Sequence, residues 1–431
     1  MRDALRGLTT RGRSFFAAAG AAALSALLLG EKDLLRVAFL LAILPLLATA
    51  YVGRTRYRLA CSRSLQPRRI TAGGSARVVL RLQNLSRLPT GTILLEDRLP
   101  FALGGRPRVV LERLGAQQAT SIAYTVRADV RGRYELGPLV VRLTDPFGLC
   151  ELTRSFPSTD RLTVIPQVTP LPRVRMAGEY VGNGESRARS VAVHGEDDAA
   201  TREYRNGDDL RRVHWKSTAR TGELMVRREE QPWESRATIV LDTRAFAHHG
   251  DGPTASFEWA VSAAASIIVH LRHAGYRLRL VTLGIDADAT EAASEGLLLE
   301  HLADVRPDPH GDIAMLVEQV RRRADGALVI ALLGTLAPGE ADLLAGLRSN
   351  GATCVGFLID SSTWLSLPPQ ERAEADAAHG DAALNLLSSG WRVVGAAHGS
   401  KLPALWPQVA RGSQGFAWRA ALAETVAGNL R

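Results

Sequence analysis

Two uninterrupted apolar runs open the chain. Phe15–Gly30 (FFAAAGAAALSALLLG) carries no charge, and Val37–Gly53 (VAFLLAILPLLATAYVG) follows after a short charged loop, Glu31–Arg36. Each is a little shorter than the roughly 20 residues that cross a bilayer, but flanking residues and snorkelling arginines extend both. The pair predicts a helical hairpin anchor. A signal peptide has the shape of the first run alone. Against it, a second run follows at once, and the loop lacks a small-x-small cleavage site. A hairpin buried in a soluble core is the other structural reading. Pro45 lies inside the second run, where a membrane helix tolerates proline if neighbours satisfy the freed carbonyl.

From Ser64 to about Thr169 the pattern shortens to alternating runs: Ala76–Leu82, Gly91–Leu95, Arg108–Leu111, Ala119–Val126, Leu139–Leu143 and Leu162–Ile165. Turn residues separate them at Gly73-Gly74, Pro89, Gly104-Gly105, Gly115, Gly132 and Asp145-Pro146. Short strands at even spacing predict an all-β immunoglobulin-like sandwich, large enough to hold its own core. Asn84-Leu85-Ser86 reads as a strand edge followed by a turn. Pro166–Ser190 is a Pro- and Gly-punctuated linker.

From Arg236 strands alternate with helices. Strands are expected at Ala237–Asp242, Arg277–Leu283, Ala327–Leu333, Cys354–Ile359 and Trp391–Ala396. Helices are expected at Phe257–Ala274, Ala293–Val305, Asp312–Ala324, Pro338–Arg348 and Lys401–Val409. Apolar strands with intervening helices make a doubly wound α/β domain, whose ligands gather at the carboxyl ends of the strands. The chain therefore divides into a membrane anchor (1–60), a β-sandwich (61–170), a linker with a charged motif (171–235) and an α/β domain (236–431).

The charged motif runs from His194 to Pro232. Asn206-Gly207 signals a turn, and Asp208 or Asp209 can cap a helix over Leu210–Arg220 that stops at Gly222. Leu224, Val226 and Arg228 alternate with Met225 and Arg227, as in a strand. Lys216-Ser217-Thr218 ends like a phosphate-binding loop, but Trp215 and Leu210 stand where its glycines belong. A Ser-x-x-Lys nucleophile fails because Arg220 holds the lysine position. Asp197, Asp198, Asp208 and Asp209 lack calcium-loop spacing. Three readings remain: a charge-paired motif between domains, an exposed surface that docks a partner, and a hydrolase using His214 with Asp208 or Asp209.

Arg202-Glu203-Tyr204-Arg205, Gly207-Asp208, Arg212-Val213-His214-Trp215-Lys216 and Ala219-Arg220 resemble the signature of a bacterial family, domain of unknown function (DUF) 58. Arg131-Gly132-Arg133-Tyr134, Gly137-Pro138-Leu139 and Asp145-Pro146-Phe147-Gly148-Leu149 are similar to that family too. The resemblance implies a membrane-anchored, non-enzymatic protein whose α/β domain is von Willebrand factor A-like, with Arg202, Glu203, Tyr204, Arg205, Gly207, Asp208, Arg212, His214, Trp215, Lys216 and Arg220 forming the partner-binding or interdomain motif. Relatives are often encoded beside MoxR-type AAA+ ATPases and transglutaminase-like membrane proteins. The resemblance therefore implies a protein partner of the MoxR type and a setting in protein maturation or the cell envelope.

In von Willebrand A-like domains the first strand ends in Asp-x-Ser-x-Ser, whose oxygens hold Mg²⁺. Here Asp242 is followed by Thr243-Arg244-Ala245-Phe246, so the aspartate stands alone. A guanidinium repels a cation and can pair with Asp242 instead. A degenerate metal site and no cofactor are expected, with His248 and His249 on a solvated loop.

Charge refines the picture. The net charge is +9 with a pI near 10, which raises nucleic acid as a partner. That alternative predicts salt-sensitive binding that survives removal of the residues before Gln66. Yet many basic residues flank the apolar runs: Arg2, Arg6, Arg11 and Arg13 on one side, RTRYRLACSRSLQPRR on the other. Anionic lipid explains these better, and the positive-inside rule puts both ends of the hairpin in the cytoplasm of a two-helix plasma-membrane protein. Cys61, Cys150 and Cys354 are odd in number and far apart, as in a reducing compartment without a disulfide framework.

Overall fold

The protein is described by a computed structural model covering residues 7–56, 59–87, 89–90, 92–145, 147–174, 201–204, 213–227, 236–289, 294–322, 328–350 and 352–410. It forms two compact units. The first gathers Met1–Thr169 with His248–Ser266 and Ala293–Pro309; the second gathers Pro170–Ala247, Ile267–Ala292 and His310–Arg431.

In the first unit the apolar runs become helices α1 (Thr10–Leu29) and α2 (Lys32–Arg56), which lie along one another. The charged loop expected at Glu31–Arg36 is not a loop. Gly30 closes α1 in a left-handed conformation, and Lys32 already begins α2. Asp33 sits in the first turn of α2, where a carboxylate complements the exposed N–H groups. Both helices are long and apolar enough to cross a membrane, and only 17% and 22% of their apolar windows are buried. Leu24, Leu27, Leu28, Phe39 and Leu40 therefore face outward, unlike the side chains of a soluble core helix.

Ten strands follow: β1 (Leu59–Gln66), β2 (Arg69–Thr71), β3 (Ser75–Asn84), β4 (Thr92–Asp97), β5 (Arg108–Leu111), β6 (Ala119–Arg127), β7 (Gly132–Leu136), β8 (Leu139–Thr144), β9 (Glu151–Phe156) and β10 (Asp160–Ile165). They make three sheets ordered β1-β3-β6, β2-β10-β7 and β5-β4-β8-β9. Every second residue of β3 is buried, the period-two pattern of a strand with one covered face. Val78, Leu80 and Leu82 of β3 join Ile93 and Leu95 of β4, Val141 of β8 and Leu162 and Val164 of β10 in one apolar core. The stretch expected as a basic membrane flank supplies β1. Its Arg63 is buried against Asp97 (Nη2–Oδ1 2.5 Å) and donates to the Leu136 carbonyl at 2.8 Å. Asp97 also accepts from the Tyr124 hydroxyl at 2.5 Å. Asn84 is buried, with its Oδ1 taking the Ser86 N–H at 2.9 Å to shape the expected turn.

Two of the motif strings have structural work here. Arg131 of the Arg-Gly-Arg-Tyr string is ion-paired with Glu258, donates from Nε to the Leu302 carbonyl at 2.9 Å, and lies over the Phe257 ring at 5.2 Å. Arg133 pairs with Asp304 at 2.8 Å, and Arg69 with Glu300. Asp145 of the Asp-Pro-Phe-Gly-Leu string is buried and accepts the N–H groups of Phe147 (2.9 Å) and Cys150 (2.6 Å). The turn so fixed offers its carbonyls to the start of α1. The Thr9 hydroxyl donates to Gly148 O at 2.7 Å, and Thr9 N–H to Leu149 O at 3.0 Å. Leu8 bridges Cys150 as in a β-ladder. Phe15, Leu44, Ala48 and Tyr51 then pack on the β core.

The rest of the described chain contributes β11 (Thr201–Glu203), α3 (Trp215–Thr221), β12 (Met225–Arg227), β13 (Arg236–Leu241), α4 (Ser256–His273), β14 (Arg277–Thr282), β15 (Ile285–Ala289), α5 (Ser294–Asp304), α6 (Ile313–Arg321) and β16 (Leu328–Leu333). After them come α7 (Glu340–Ala345), β17 (Thr353–Ile359), α8 (Pro369–Ser388), β18 (Arg392–Ala396) and α9 (Leu402–Leu405). The second unit holds a six-stranded sheet ordered β15-β14-β13-β16-β17-β18, parallel except for the β14–β15 pair. All six residues of β16 are buried, as a strand covered on both faces requires. The antiparallel edge β15 and the long helix α8 were not anticipated from the sequence. Strand order reverses at β13, so the natural ligand crevice is at the carboxyl ends of β13 and β16.

Gly12 lets α1 approach the β-rich body closely, because a Cβ there would overlap the Leu149 carbonyl oxygen. Gly12→Val is expected to cost about 1–3 kcal/mol through overpacking. Limited proteolysis in detergent should then cut between α1 and the strands faster than in Gly12→Val's parent chain.

Candidate functional site

Part of the charged motif is described. Arg205, Gly207, Asp208, Asp209 and Arg212 lie outside the described residues, as do Asp197 and Asp198. Arg202 and Glu203 stand in β11, which pairs antiparallel with β12 in the register Thr201↔Arg227. Tyr204 N–H donates to the Leu224 carbonyl at 2.8 Å. Val213 continues this ribbon by bridging Val226; it is not on a helix. The helix expected over Leu210–Arg220 begins only at Trp215, and its cap is His214, not an aspartate. His214 Nδ1 accepts the Ser217 N–H at 3.2 Å and lies 2.8 Å from the Ser217 hydroxyl. An imidazole nitrogen here takes the role usually filled by Ser, Thr, Asp or Asn. Gly222 ends α3 with φ 80°, as its expected left-handed stop requires. Trp215 is 71% exposed, with Lys216 and Arg220 exposed on the same short helix.

The second candidate is the end of β13. Asp242 and Arg244 are both fully buried. Arg244 donates from Nε to Asp242 Oδ1 at 2.9 Å and from Nη2 to Oδ2 at 2.7 Å, a two-pronged pair. Its Nη1 reaches both oxygens of Glu340, the first residue of α7, at 2.6 Å each. Nη2 also donates to the Thr335 carbonyl at 3.3 Å, and the guanidinium lies over Phe246 at 5.0 Å. Asp242 further accepts the N–H groups of Arg244 (3.1 Å) and Gly334 (3.2 Å). Burial works against the charge of Arg244, and the hydrogen bonds and attraction of Asp242 and Glu340 outweigh it, so its pKa is held above the ordinary value. A cation approaching Asp242 would have to displace this guanidinium, and the donors present do not fit Mg²⁺. Among the described residues no cluster of three or more His, Cys, Asp or Glu is placed to hold a metal.

Beyond the triad, hydroxyl groups tie the carboxyl ends of β16 and β17: Thr335 Oγ1 and the buried Ser361 Oγ are 2.6 Å apart. Ser362 donates to Asp360 at 2.6 Å. On α8, burial lowers the pKa of His379 while Asp360 and Asp376 partly oppose that shift. His248 is not on a solvated loop. It is buried, edge-on to Phe257 at 5.2 Å and 3.4 Å from the Ser256 hydroxyl. Burial pushes the thiols of Cys61 and Cys150 up to about 11 and that of Cys354 up to about 12, far from the reactive thiolate form.

The family described as protein of unknown function DUF58 matches residues 200–359, a span that takes in α3, Asp242, Arg244 and Glu340. Uncharacterized protein YeaD of Bacillus subtilis (strain 168) is 26% identical over 229 residues, 52% of this chain and 55% of that protein. The chain thus spans about half the length of this curated relative. Among solved structures, a CARDB domain from Pyrococcus furiosus in complex with di-metal ions is 10% identical, with a TM-score of 0.18 over 25% of this chain and 90% of that one. Spo0M, a sporulation control protein of Bacillus subtilis, is 12% identical with a TM-score of 0.16 over 25% of this chain and 49% of that one. At these scores neither structural likeness carries an argument.

Two outcomes follow from the buried charges. Arg244→Met strands Asp242 and Glu340 without their counter-charge and should cost about 3–5 kcal/mol in urea unfolding. Combining it with Asp242→Asn and Glu340→Gln should return a substantial part of that loss. His379 has a folded pKa below its unfolded value of 6.5. Its contribution to stability is complete above that value and is lost as pH falls below it, because the unfolded chain then binds the extra proton. The unfolding midpoint should therefore drop between pH 7 and pH 5, and less steeply in His379→Gln.

Proposed function

We propose that this chain is a non-enzymatic, membrane-anchored scaffold that docks an acidic protein partner on α3. In this reading α1 and α2 form a hairpin in the plasma membrane, and both of its ends and the folded bulk face the cytoplasm. The β-rich region acts as an immunoglobulin-like sandwich, and the six-stranded region as a von Willebrand A-like domain. The observation that carries the reading is Trp215. A tryptophan exposed to this degree, flanked by the exposed cations Lys216 and Arg220, has the make-up of an interface hot spot. The arginine seated against Asp242 supports a domain that binds through its surface and not through a metal. The resemblance to DUF58 proteins supports a MoxR-type AAA+ ATPase as the partner, in protein maturation or cell-envelope work.

The test is co-purification from native membranes with the full chain, comparing wild type with Trp215→Ala, Lys216→Glu and Arg220→Glu combined. These side chains are exposed, so the fold should tolerate the changes. Losing a hot spot of about 2–4 kcal/mol should reduce recovery of the specific partner at least tenfold. Identical partner lists would remove the docking role. Digestion of the C-terminal half by protease added outside intact protoplasts would reverse the topology.

A further inference from the structure

The β-rich body has two ends, and they differ in composition. The register Thr92↔Thr144 and Asp97↔Leu139 sets the direction of β4 and β8. At the Thr144 end lie three connections: the β3–β4 turn, the β5–β6 loop and the turn at Asp145–Cys150. The first two are joined by Gln117 N–H to Ser86 O (3.0 Å) and by Asn84 Nδ2 to Gly115 O (2.9 Å). Both apolar helices meet the body at this end. Thr9 is bonded to Gly148 and Leu149, and the Tyr51 hydroxyl donates to Pro89 O at 3.0 Å.

This same end exposes apolar side chains. Phe147 is 64% exposed at the tip of the turn whose next residue receives Thr9, and Leu85 is 51% exposed in the neighbouring turn. Arg11 and Arg13 at the start of α1, Arg87 in the β3–β4 turn and Arg113 in the β5–β6 loop are exposed, while the acids at this end are Glu112 and Glu151, the latter paired with Arg142. Length then fixes where a bilayer would lie. The 20 residues of α1 rise about 30 Å, which equals the hydrocarbon thickness with nothing to spare. If α1 crosses the membrane, its first turn lies at the hydrocarbon boundary, and Gly148 lies beside that turn. A headgroup layer of roughly 5–7 Å then covers Phe147.

We infer that the Thr144 end of the β-rich body is a membrane-contacting surface, with Phe147 and Leu85 seated among anionic lipid headgroups and Arg11, Arg13, Arg87 and Arg113 facing the phosphates. This rests on the proposed anchoring of α1 and α2 and goes beyond it: the body is held flat on the membrane, not suspended below it. The side chains form an amphipathic rim of the kind that binds interfaces, in which aromatic rings sit at headgroup level and each nearby arginine adds attraction to anionic lipid.

The full chain, reconstituted in nanodiscs of phosphatidylcholine and phosphatidylglycerol, tests this with nitroxide labels. Phe147→Cys is compared with Leu28→Cys on α1 and with Phe101→Cys, a fully exposed position beyond the opposite end of β4. A Cys61→Ser background leaves only the buried Cys150 and Cys354. Collision with oxygen against a water-soluble nickel chelate reads depth. The expected order is Leu28 in hydrocarbon, Phe147 at headgroup depth and Phe101 in water. Arg87→Glu with Arg113→Glu should raise nickel access at 147 at least twofold and leave 28 unchanged. If 147 matches 101 while 28 stays in hydrocarbon, the surface inference fails and the anchor stands. If 28 also reads as aqueous, the anchor fails and the surface inference with it.

Discussion

Arginines placed in the interior, each met by a carboxylate, hold this protein's elements in place. Arg63 with Asp97 ties β1 to β4, Arg131 with Glu258 brings the start of α4 onto the β-rich body, and Arg279 with Asp286 (2.7 Å) locks the edge pair β14–β15. Arg244 with Asp242 and Glu340 joins the end of β13 to the start of α7. A buried charge without its partner is far more costly than the pair is beneficial, so each of these contacts fixes geometry more than it adds stability. The chain's composition suits this constraint. Of its 53 basic residues only Lys32, Lys216 and Lys401 are lysines. The guanidinium's planar fork can satisfy a carboxylate and backbone carbonyls together, which a lysine ammonium cannot do with the same geometry. These interior groups carry no excess of positive charge, so the net charge of +9 is carried by basic residues elsewhere in the chain.

The triad at β13 also decides what the carboxyl edge of the six-stranded sheet can do. In an open α/β sheet that edge is where a ligand is expected. Here its central aspartate already has a cation, supplied two residues later by the same strand end. Both carboxylates in reach are engaged by this one side chain; Asp242 also accepts the Gly334 N–H, Glu340 the Ala337 N–H, and the guanidinium donates to the Thr335 carbonyl. The chemical opportunity at this edge is spent on holding β13, the loop after β16 and α7 together. Among the described residues, α3 separately offers an exposed aromatic flanked by cations.

The fold was legible where one kind of periodicity ran long. The two apolar runs, the alternation in β3 and the buried strands β13, β16 and β17 could be read because many positions agreed. Short or compositionally neutral elements could not. β1 contains Arg63, whose burial depends on Asp97 more than 30 residues away, so its sequence looked like a basic membrane flank. α8 is rich in Ala and charge, buries only Gly380, Ala383 and Leu386, and carries almost no apolar stripe. At the motif, the two aspartates gave a strong local capping signal, yet His214 caps the helix. Val213 was drawn out of the helix by its bridge to Val226, a pairing that spacing alone does not reveal. The pairing of Arg244 with Asp242 was readable from two positions only two residues apart, whereas the third member, Glu340, lies nearly a hundred residues on and needed the sheet order.

The Asp145 turn shows how a short string acquires a role through the backbone. Asp145 is buried and engaged with two N–H groups, and Gly148 and Leu149 offer their carbonyls to Thr9. What the turn does is stop the β8–β9 connection in one shape, so that Thr9 and the glycine at position 12 can close against it. A Cβ at Gly12 would meet the Leu149 carbonyl oxygen, so this close seating requires glycine there. The helices and the β-rich body are thus one mechanical piece in this unit, joined by ladder-like bonds at Leu8–Cys150 as well as by side-chain packing. A helix that continues directly from a β-bridge gives α1 one defined orientation against the strands of the first unit.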